Sequence, residues 1–261
     1  MKRTKRPKDF VSIVTPNFNG EKYIEQTILS VVSQSYKNFE FIVIDGNSKD
    51  NSLKIIKKYT RYINKLISKK DNGMYDAINK GINLSKGNII IWINSDDILH
   101  KDAVKNIYNF FKKNPEISWI TGRNGYIKKN IKISGIPYIY PRIILKNGLA
   151  SHPYWGFVQQ ESTSFRKELY LKSGGFNKKY KNAADYGLWK KFANFTTLFT
   201  VAFSIGYFRT WELQDSQVHK KLYYKSIGFK KIPIFSLRFL RLFISLFFYP
   251  FIYLRTIYLL R

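Results

Sequence analysis

Short apolar runs alternate with segments of helical spacing along the first hundred residues. The runs typical of buried strands are Phe10–Thr15, Phe39–Asp45, Lys65–Ser68 and Asn88–Asn94. The segments with apolar residues three and four positions apart, which predict helices, are Glu21–Ser33, Ser52–Tyr62 and Tyr75–Leu84. This alternation predicts an α/β fold with a Rossmann-like, mostly parallel sheet and helices on both of its faces.

The pattern loosens after residue 101, although strands and helices can still be assigned. The further predicted helices are Ala103–Asn114, Ser164–Ser173 and Ala183–Ala193, and the predicted strands are Trp119–Gly122 and Tyr126–Ser134. We expect these strands to form a second, mixed sheet, and the segment Pro137–Tyr154 to be a long loop. The sequence thus predicts a domain over 1–215, with one half at about 10–100 and another at about 101–215.

The last segment, 216–261, has nine basic residues, no acidic residue and many Leu, Phe, Ile and Tyr. Its uncharged run between Arg241 and Arg255 contains Pro250 and has 13 residues, whereas a spanning helix needs about 20 apolar residues. We therefore expect an amphipathic helical tail in the membrane interface, with its arginines at the headgroups. A terminal helix pair that packs on the core is the alternative.

The composition narrows the chemistry. The chain has 261 residues and no cysteine, which excludes disulfides, thiolate metal ligands and a cysteine nucleophile. Its net charge of +28 favours an anionic partner, either nucleic acid, a membrane surface or a phosphorylated ligand. Abundant Lys, Asn and Ile are also typical of an AT-rich genome, to which we attribute part of this charge. The basic residues 1–8 precede no apolar stretch, so we expect no secretory signal.

Polar residues follow the predicted strands, where ligands bind in parallel sheets. Adjacent Asp96 and Asp97 would repel each other unless a cation offsets their charge. Oxygen ligands favour Mg²⁺ or Mn²⁺, and a divalent ion there would stabilise a diphosphate. Ser95 or Asp96 could instead cap a helix over Ile98–Phe111.

Two further carboxylates have a functional and a structural interpretation. Asp45 ends a predicted strand and could accept hydrogen bonds from a nucleoside or begin an Asx-turn. Asp185 has apolar, aromatic neighbours, so its pKa could be raised for a role as a base, or it could be an N-cap. A turn and a cap explain Asp71 and Asn72, but neither requires Asp76.

Together these segments resemble the family 2 glycosyltransferases with a GT-A fold. The segments that carry the resemblance are Ser12–Asn19, Ser30–Tyr36, Phe41–Asp50, Asp71–Gly81, Asn94–Asp97, Gln159–Thr163, Ser173–Phe176 and Ala184–Trp189. Asp71–Gly81 is especially similar to a subgroup that builds bacterial polysaccharides of the colanic-acid type. Two positions depart from the family: Asn94 replaces the first acid of the DXD element, and Ala184 replaces a common glutamate.

The resemblance implies inverting transfer from a nucleotide-diphosphate sugar, with UDP as the default nucleotide. Asp185 is then the catalytic base, with Glu161 in reserve, and Asp96 holds Mn²⁺ or Mg²⁺. The implied nucleotide-binding residues are Thr15, Pro16, Asn17, Asp45, Asn72, Ser95 and Asp96. The implied donor-sugar and diphosphate residues are Asp76, Asn79 and Asp97, and the implied acceptor residues are Gln160, Glu161 and Trp189. In these terms, 10–100 is the nucleotide-binding half and 101–215 the acceptor half.

The resemblance and the tail together imply partners and a location. We expect a lipid-linked glycan as acceptor, in lipopolysaccharide or capsule synthesis, and a peripheral protein at the cytoplasmic face of the bacterial inner membrane. The membrane surface would be bound through 232–261, and we expect no nucleic acid partner. The alternatives are a polyprenyl-phosphate sugar transferase, a non-catalytic scaffold that binds membrane or nucleic acid, and a glycosidase.

Overall fold

The computed structural model describes residues 9–128, 131–151, 155–176, 183–211, 222, 227 and 234–260. Its strands are β1 Val11–Asn17, β2 Phe39–Asp45, β3 Lys65–Ser68, β4 Ile89–Trp92, β5 Ile98–Leu99, β6 Trp119–Lys128, β7 Ile131–Pro137, β8 Thr163–Arg166, β9 Phe199–Ser204 and β10 Gly206–Arg209. Its helices are α1 Ile24–Val32, α2 Ser52–Lys57, α3 Met74–Leu84, α4 Ala103–Lys113, α5 Arg142–Lys146, α6 Lys167–Lys172, α7 Ala184–Phe195 and α8 Ile234–Leu260. Single 3₁₀ turns lie at Thr60–Tyr62 and Gln160–Ser162.

The predicted α/β class is confirmed by the strand pairing. Strands β3, β2, β1 and β4 lie side by side and are all parallel. In the next positions, β8 is antiparallel to both β4 and β6, while β6 is parallel to β9 and β10. The carboxyl ends of β1, β2, β3 and β4 therefore meet at one edge, which is where the predicted nucleotide-binding half places its polar residues.

The expected second sheet is wrong, since the described strands form one ten-stranded sheet. The reason is β8, Thr163–Arg166, which joins β4 to β6. Its sequence fell inside the predicted helix Ser164–Ser173, of which only Lys167–Lys172 is helical. The predicted strands over 119–134 are instead a hairpin of β6 and β7.

The proposed capping role of the Asn94–Asp97 segment is also wrong. Strand β5 follows it directly, and α4 begins only at Ala103, after Asp102. Asp185 is likewise not an N-cap, because Ala183 occupies that position and α7 starts at Ala184. The carboxylates at these two places are thus not needed to begin a helix.

Helix α3 packs closely on the sheet because Gly81 carries no side chain. A Cβ at Gly81 would lie 2.3 Å from Val14 Cγ1 of β1, far inside van der Waals contact. Ile78 and Ile82 on the same face are fully buried. The close approach fixes the first turn of α3 beside the carboxyl end of the sheet, with Asp76 in that turn.

Helix α8 turns its polar residues toward the domain. Ser245 and Thr256 are buried, and their hydroxyl oxygens accept hydrogen bonds from the backbone nitrogens of Ile139 (3.3 Å) and Ala202 (3.0 Å). Arg123 donates to the Tyr249 hydroxyl at 2.9 Å. The large apolar side chains on the outside of the helix are exposed: Phe239, Leu242, Phe243, Leu246, Phe247, Phe251, Leu254 and Tyr258. The helix runs through Pro250 without a break in its assignment.

Candidate active site

The end of β1 is joined to the end of β2 by buried polar contacts. Asn17 Nδ2 donates to Asp45 Oδ1 at 2.8 Å and to Ser48 Oγ at 3.1 Å. Thr15, Pro16 and Asn17 are all buried, and Thr15 Oγ1 and Asn17 Oδ1 have no hydrogen-bond partner among the described residues. An unpaired buried oxygen costs about 1–3 kcal/mol, so these two atoms are available to a ligand at the edge of the sheet.

Asp45 is fully buried and holds the loop that follows β2. Besides Asn17, it accepts bonds from Ser48 Oγ at 2.5 Å and Ser68 Oγ at 2.6 Å. Burial alone would raise the pKa of Asp45, but the hydrogen bonds from Ser48, Ser68 and Asn17 outweigh it, and the pKa is lowered. Asp45 is therefore a charged anchor between three strand ends, and its direct contact with a nucleoside stays a prediction.

Phe18, Gly46 and Asp71 border the outer side of this edge. The Phe18 side chain is 64% exposed, and a Cβ at Gly46 would lie 3.0 Å from Asp71 Oδ2 and 3.2 Å from Phe18 Cδ2. An exposed ring and a carboxylate thus approach the buried backbone at Gly46. These two side chains occupy the space over Gly46, and the Phe18 ring remains exposed on the outside.

The segment after β4 is held from two sides. Thr27 Oγ1 is bonded to the carbonyl oxygens of Ser95 (2.9 Å) and Asp97 (2.7 Å). The Trp92 indole donates to Asn94 Oδ1 at 2.8 Å, so this asparagine serves the backbone turn. Asp97 is fully buried and only partly bonded: its Oδ1 accepts from Arg209 N at 2.8 Å, while its Oδ2 has no partner among the described residues.

Asp96 is the partly exposed carboxylate of this segment. The Trp211 indole donates to its Oδ2 at 3.0 Å, and Arg209 Nε donates to its carbonyl oxygen at 2.7 Å. Arg209 also donates to Gln26 Oε1 at 2.7 Å, and it lies over the Tyr23 ring at 4.4 Å. Strand β10 and the residues after it thus form one wall of the site beside Asp96.

Four carboxylates gather around this point: Asp96, Asp97, Glu161 and Asp185. Burial, with the charges of Asp96 and Glu161, raises the pKa of Asp97 well above its usual range. Burial also raises the pKa of Glu161 to about 8, with the charges of Asp96 and Asp185 acting in the same direction. Glu161 Oε1 has no partner among the described residues. The raised pKa values of Asp97 and Glu161 mean that ionising all four carboxylates is costly, and a positively charged ligand would reduce this cost.

Asp185 lies in the first turn of α7, next to the aromatic side chains of the acceptor half. Burial raises its pKa, and hydrogen bonds from the Tyr186 backbone and from Tyr75 offset this only in part. The Tyr75 hydroxyl donates to Asp185 Oδ1 at 3.4 Å. Tyr75 is held in turn by the Trp92 and Phe176 rings, at 6.0 and 5.1 Å between centroids. A carboxylate with a raised pKa in such a setting is suited to accept a proton.

The described residues contain no group of three His, Cys, Asp or Glu side chains that could hold a metal ion by themselves. Mg²⁺ is often held by one or two carboxylates together with substrate phosphates. Asp96, with the buried Asp97 behind it, fits that mode, and the raised pKa of Asp97 and its unpartnered Oδ2 fit an added positive charge. The residues present therefore match a cation that arrives with a diphosphate.

The start of α3 closes the opposite side. The Asn72 backbone nitrogen donates to Asp76 Oδ2 at 3.0 Å, and Lys80 forms an ion pair with the same oxygen at 2.8 Å. The Tyr170 hydroxyl donates to Asn79 Oδ1 at 2.7 Å. Asp76 and Asn79 thus have structural partners, and only the exposed Asn72 is open on its outer side.

Two of the predicted acceptor residues have other roles. Trp189 is 3% exposed and stacks on Trp119, with ring centroids 5.2 Å apart. The prediction that it contacts the acceptor is therefore corrected: it belongs to the apolar core beneath α7. Gln160 is buried and donates to the Trp92 carbonyl oxygen, which fixes Glu161 next to it.

Sequence reasoning missed Tyr75, Arg209 and Trp211. Tyr75 lay within the quoted segment Asp71–Gly81, but nothing in its spacing indicated contact with Asp185. Arg209 ends β10, the last strand, and Trp211 follows it. Their only signal was an arginine and a tryptophan near the acid-free tail.

Comparison with known proteins decides the family. The model for Glycosyl transferase family 2 matches residues 12–173, which is more than half of the chain and includes β1 to β4, α3 and the Asn94–Asp97 segment. The chain belongs to glycosyltransferase family 2.

Its relatives include several bacterial enzymes. Poly(ribitol-phosphate) beta-N-acetylglucosaminyltransferase TarP of Staphylococcus aureus is 37% identical over 109 residues, which are 40% of this chain and 33% of TarP. Chondroitin synthase of Escherichia coli is 29% identical over 69% of this chain and 26% of its own length. This family 2 chain thus spans about a quarter to a third of the length of these two relatives.

Solved structures agree on the GT-A fold. Residues 1–349 of S. aureus TarS in complex with UDP-GlcNAc superpose with a TM-score of 0.66 at 17% identity, covering 83% of this chain and 64% of TarS 1–349. The mannosyltransferase PcManGT of Pyrobaculum calidifontis, in complex with GDP-Man and Mn²⁺, superposes with a TM-score of 0.61 at 17% identity. The match covers 98% of this chain and 77% of the PcManGT chain. At these identities the likeness concerns the fold.

Proposed function

We propose that this family 2 glycosyltransferase is inverting and moves a sugar from a nucleotide-diphosphate sugar to an acceptor hydroxyl. The observation that carries the proposal is Asp185, a half-buried carboxylate in the first turn of α7 whose pKa is raised and which accepts a hydrogen bond from Tyr75. It lies close enough to Glu161 for its charge to raise that pKa as well. Inversion needs one in-line displacement, with a base on one face of the donor sugar and the leaving diphosphate on the other.

Asp185 is the proposed base, and Tyr75 positions it. The Tyr75 hydroxyl donates to Asp185 Oδ1, and the carboxylate is the group that would take the acceptor proton. Desolvation brings its pKa nearer to neutrality. Glu161, with its pKa of about 8, is protonated in most molecules at pH 7 and suits a hydrogen bond to the substrate better than proton abstraction.

The proposed donor is a UDP-sugar, bound at the ends of β1, β2 and β4. The unpaired Thr15 Oγ1 and Asn17 Oδ1 and the exposed Phe18 ring support a nucleoside there. TarS holds UDP-GlcNAc on the same fold, and TarP is an N-acetylglucosaminyltransferase by name. PcManGT holds GDP-Man instead, so a nucleotide panel decides the base.

The proposed cofactor is Mn²⁺ or Mg²⁺, held by Asp96 together with the diphosphate. When bound, the cation neutralises charge that develops on the leaving diphosphate. Asp97 supports it from behind, and Arg209 holds the Asp97 carboxylate and the Asp96 carbonyl oxygen in place. PcManGT is in complex with Mn²⁺, which supports the choice of metal.

The proposed acceptor is a lipid-linked glycan in surface polysaccharide synthesis, at the cytoplasmic face of the bacterial inner membrane. Residues Phe239–Leu259 form one helix that is long and apolar enough to cross a membrane, judged by length and composition. Its side chains contact the domain from Arg241 to Leu259, about 27 Å at 1.5 Å per residue. A spanning orientation would draw the neighbouring strands into hydrocarbon, where unpaired backbone groups are costly. The helix is therefore proposed to lie in the interface.

Binding of UDP, GDP, dTDP and CMP, measured by calorimetry with Mn²⁺, Mg²⁺ or EDTA, tests the donor site. We expect metal-dependent binding of UDP that Asp96→Ala abolishes and that the control Glu116→Ala, at an exposed acidic residue, retains. A folded protein that binds none of the nucleotides would contradict the donor assignment.

Substitution Asp185→Asn tests the chemistry. We expect a loss of about 10²–10⁴-fold in transfer rate, typical of a lost general base, with nucleotide binding unchanged. Transfer to polyprenyl phosphate, the second candidate function, needs no strong base because the acceptor oxygen is already anionic. A variant that keeps most of its rate would favour that alternative, which the exposed apolar face of α8 also suits.

A further inference from the structure

Arg241 of α8 lies where this helix meets the acceptor half. Its guanidinium is centred 4.0 Å from the Tyr138 ring, and a Cβ at Gly156 would lie 2.0 Å from its Nη1. Gly156 has a φ of 95°, a conformation that favours glycine, so the backbone itself leaves room for the arginine. The guanidinium is thus seated in a built recess and does not simply extend into solvent.

The recess has unpaired polar atoms, and no acidic side chain of the described residues forms an ion pair with the arginine. Arg241 Nε and Asn124 Oδ1 are buried without a hydrogen-bond partner among the described residues. Among the described residues, the basic partners in ion pairs are Lys58, Lys80 and Arg166, and Arg241 is not one of them. A buried donor without a partner is costly, and a guanidinium can bind a phosphate or carboxylate through two parallel hydrogen bonds while it stacks on an aromatic ring. These features indicate an anionic ligand.

The recess connects the membrane side to the carboxylate cluster. The next residue on the inner stripe of α8, Ser245, accepts from the backbone nitrogen of Ile139, beside Tyr138. Tyr126 lies close enough to both Glu161 and Arg241 for their charges to affect its pKa. Burial and the charge of Glu161 raise this pKa, and the Arg241 guanidinium lowers it. Arg241 therefore stands between the exposed apolar face of α8 and Glu161.

We propose that Arg241, with Tyr138 and the backbone at Gly156, binds a phosphate group carried by a lipid, so that the lipid chain lies along α8 and the attached sugar extends toward Glu161 and Asp185. The site is an addition to the donor site and rests on the proposed membrane-bound acceptor. It makes the acceptor a substrate with a phosphate at its lipid-proximal end. The other source of the same chemistry is the headgroup of an anionic phospholipid.

Vesicle binding separates these sources. The full chain, Arg241→Gln and the control Arg255→Gln are compared on vesicles of phosphatidylcholine alone, with 10 mol% polyprenyl phosphate, and with 10 mol% phosphatidylglycerol. Arg255 is a matched control because it also lies on an aromatic ring, Phe199 at 4.3 Å, on the same helix. A lost charge-assisted contact of about 1.5 kcal/mol corresponds to roughly tenfold weaker binding.

We expect Arg241→Gln to bind polyprenyl-phosphate vesicles about tenfold more weakly than Arg255→Gln does, because Arg255→Gln loses only the attraction of one charge to an anionic surface. An equal tenfold loss on phosphatidylglycerol would support the site and assign it to a phospholipid headgroup. Equal losses for the two variants would overturn it, as would no loss for Arg241→Gln, because net charge alone would then explain binding. Calorimetry with UDP on the same samples reports separately whether the donor site of the proposed function exists, and the thermal midpoint checks folding.

Discussion

Glu161 gives the site a pH-dependent cost in stability. Its pKa rises from the usual 4.5 to about 8 through burial and neighbouring charge, so between these values the folded protein binds more protons than the unfolded chain. Stability is then greatest below about pH 4.5 as far as this group is concerned, and it falls as pH rises through 8. The change amounts to about 1.4 kcal/mol for each unit by which the pKa is raised.

We therefore expect Glu161→Gln to flatten the decline in unfolding free energy between pH 5.5 and 8.5, because glutamine mimics the protonated side chain. Urea unfolding at a series of pH values in EDTA measures this without a bound cation. The exposed Glu116→Gln is the control and should keep the wild-type slope. Parallel curves for the wild type and Glu161→Gln would contradict the raised pKa of Glu161, because an unshifted glutamate adds no pH dependence in this range.

For single residues, the sequence indicated which residues belong to the site better than it indicated what each one contacts. Asp96, Asp97, Glu161 and Asp185 were all singled out, and the structure brings them together. Trp189 was misjudged because a tryptophan after a catalytic-type motif looks alike whether it faces the core or a substrate. Arg209 could not have been found, since its contact with Asp97 joins residues 112 positions apart.

At the scale of elements, the nucleotide-binding half was predictable because β1, β2 and β4 are apolar runs that alternate with amphipathic helices. The acceptor half was less so, since its strands contain many polar residues and are defined by their partners. Strand β8 has only four residues, Thr163–Arg166, and all of them except Phe165 are polar. Pairing with β4 and β6 makes it a strand, and such tertiary context overrides local propensity.

Helix α8 turns its polar side to the domain and its apolar side outward, whereas a helix that packs on a soluble core does the opposite. Its polar stripe contacts the domain, and the exposed fractions of Phe243 and Phe247 are both 61%. Burying each phenyl ring in a membrane interface would contribute about 1.5–3 kcal/mol. The prediction of an amphipathic tail is thus consistent with this helix, while the alternative of a packed helix pair accounts only for its inner side.

We expect the double substitution Phe243→Ser/Phe247→Ser to weaken binding to phosphatidylcholine vesicles by a hundredfold or more, because about 3 kcal/mol or more of apolar burial is lost. Cosedimentation at graded lipid concentrations measures it. Leu171→Ser is the control, since Leu171 is 57% exposed on α6 and should not affect vesicle binding. If the double variant still sediments like the wild type, another surface is the anchor.

For the whole molecule, the net charge of +28 and the apolar face of α8 are two separate contributions to membrane binding. A basic residue near an anionic surface contributes about 1 kcal/mol. Salt weakens this attraction: it extends over about 10 Å at 0.1 M ionic strength and over only about 3 Å at 1 M. Burial of phenyl and leucyl side chains is not screened in this way. The two contributions can therefore be separated by ionic strength alone.

We expect wild-type binding to vesicles with 30 mol% phosphatidylglycerol to weaken strongly between 0.05 and 0.5 M NaCl, then level off at its affinity for neutral vesicles. The double phenylalanine variant should lose nearly all binding over the same range, because it retains only the screened contribution. Titration of both proteins with both vesicle types at each salt concentration measures this. A wild-type protein released completely at 0.5 M would mean that charge alone holds it at the membrane and that α8 covers a protein surface instead.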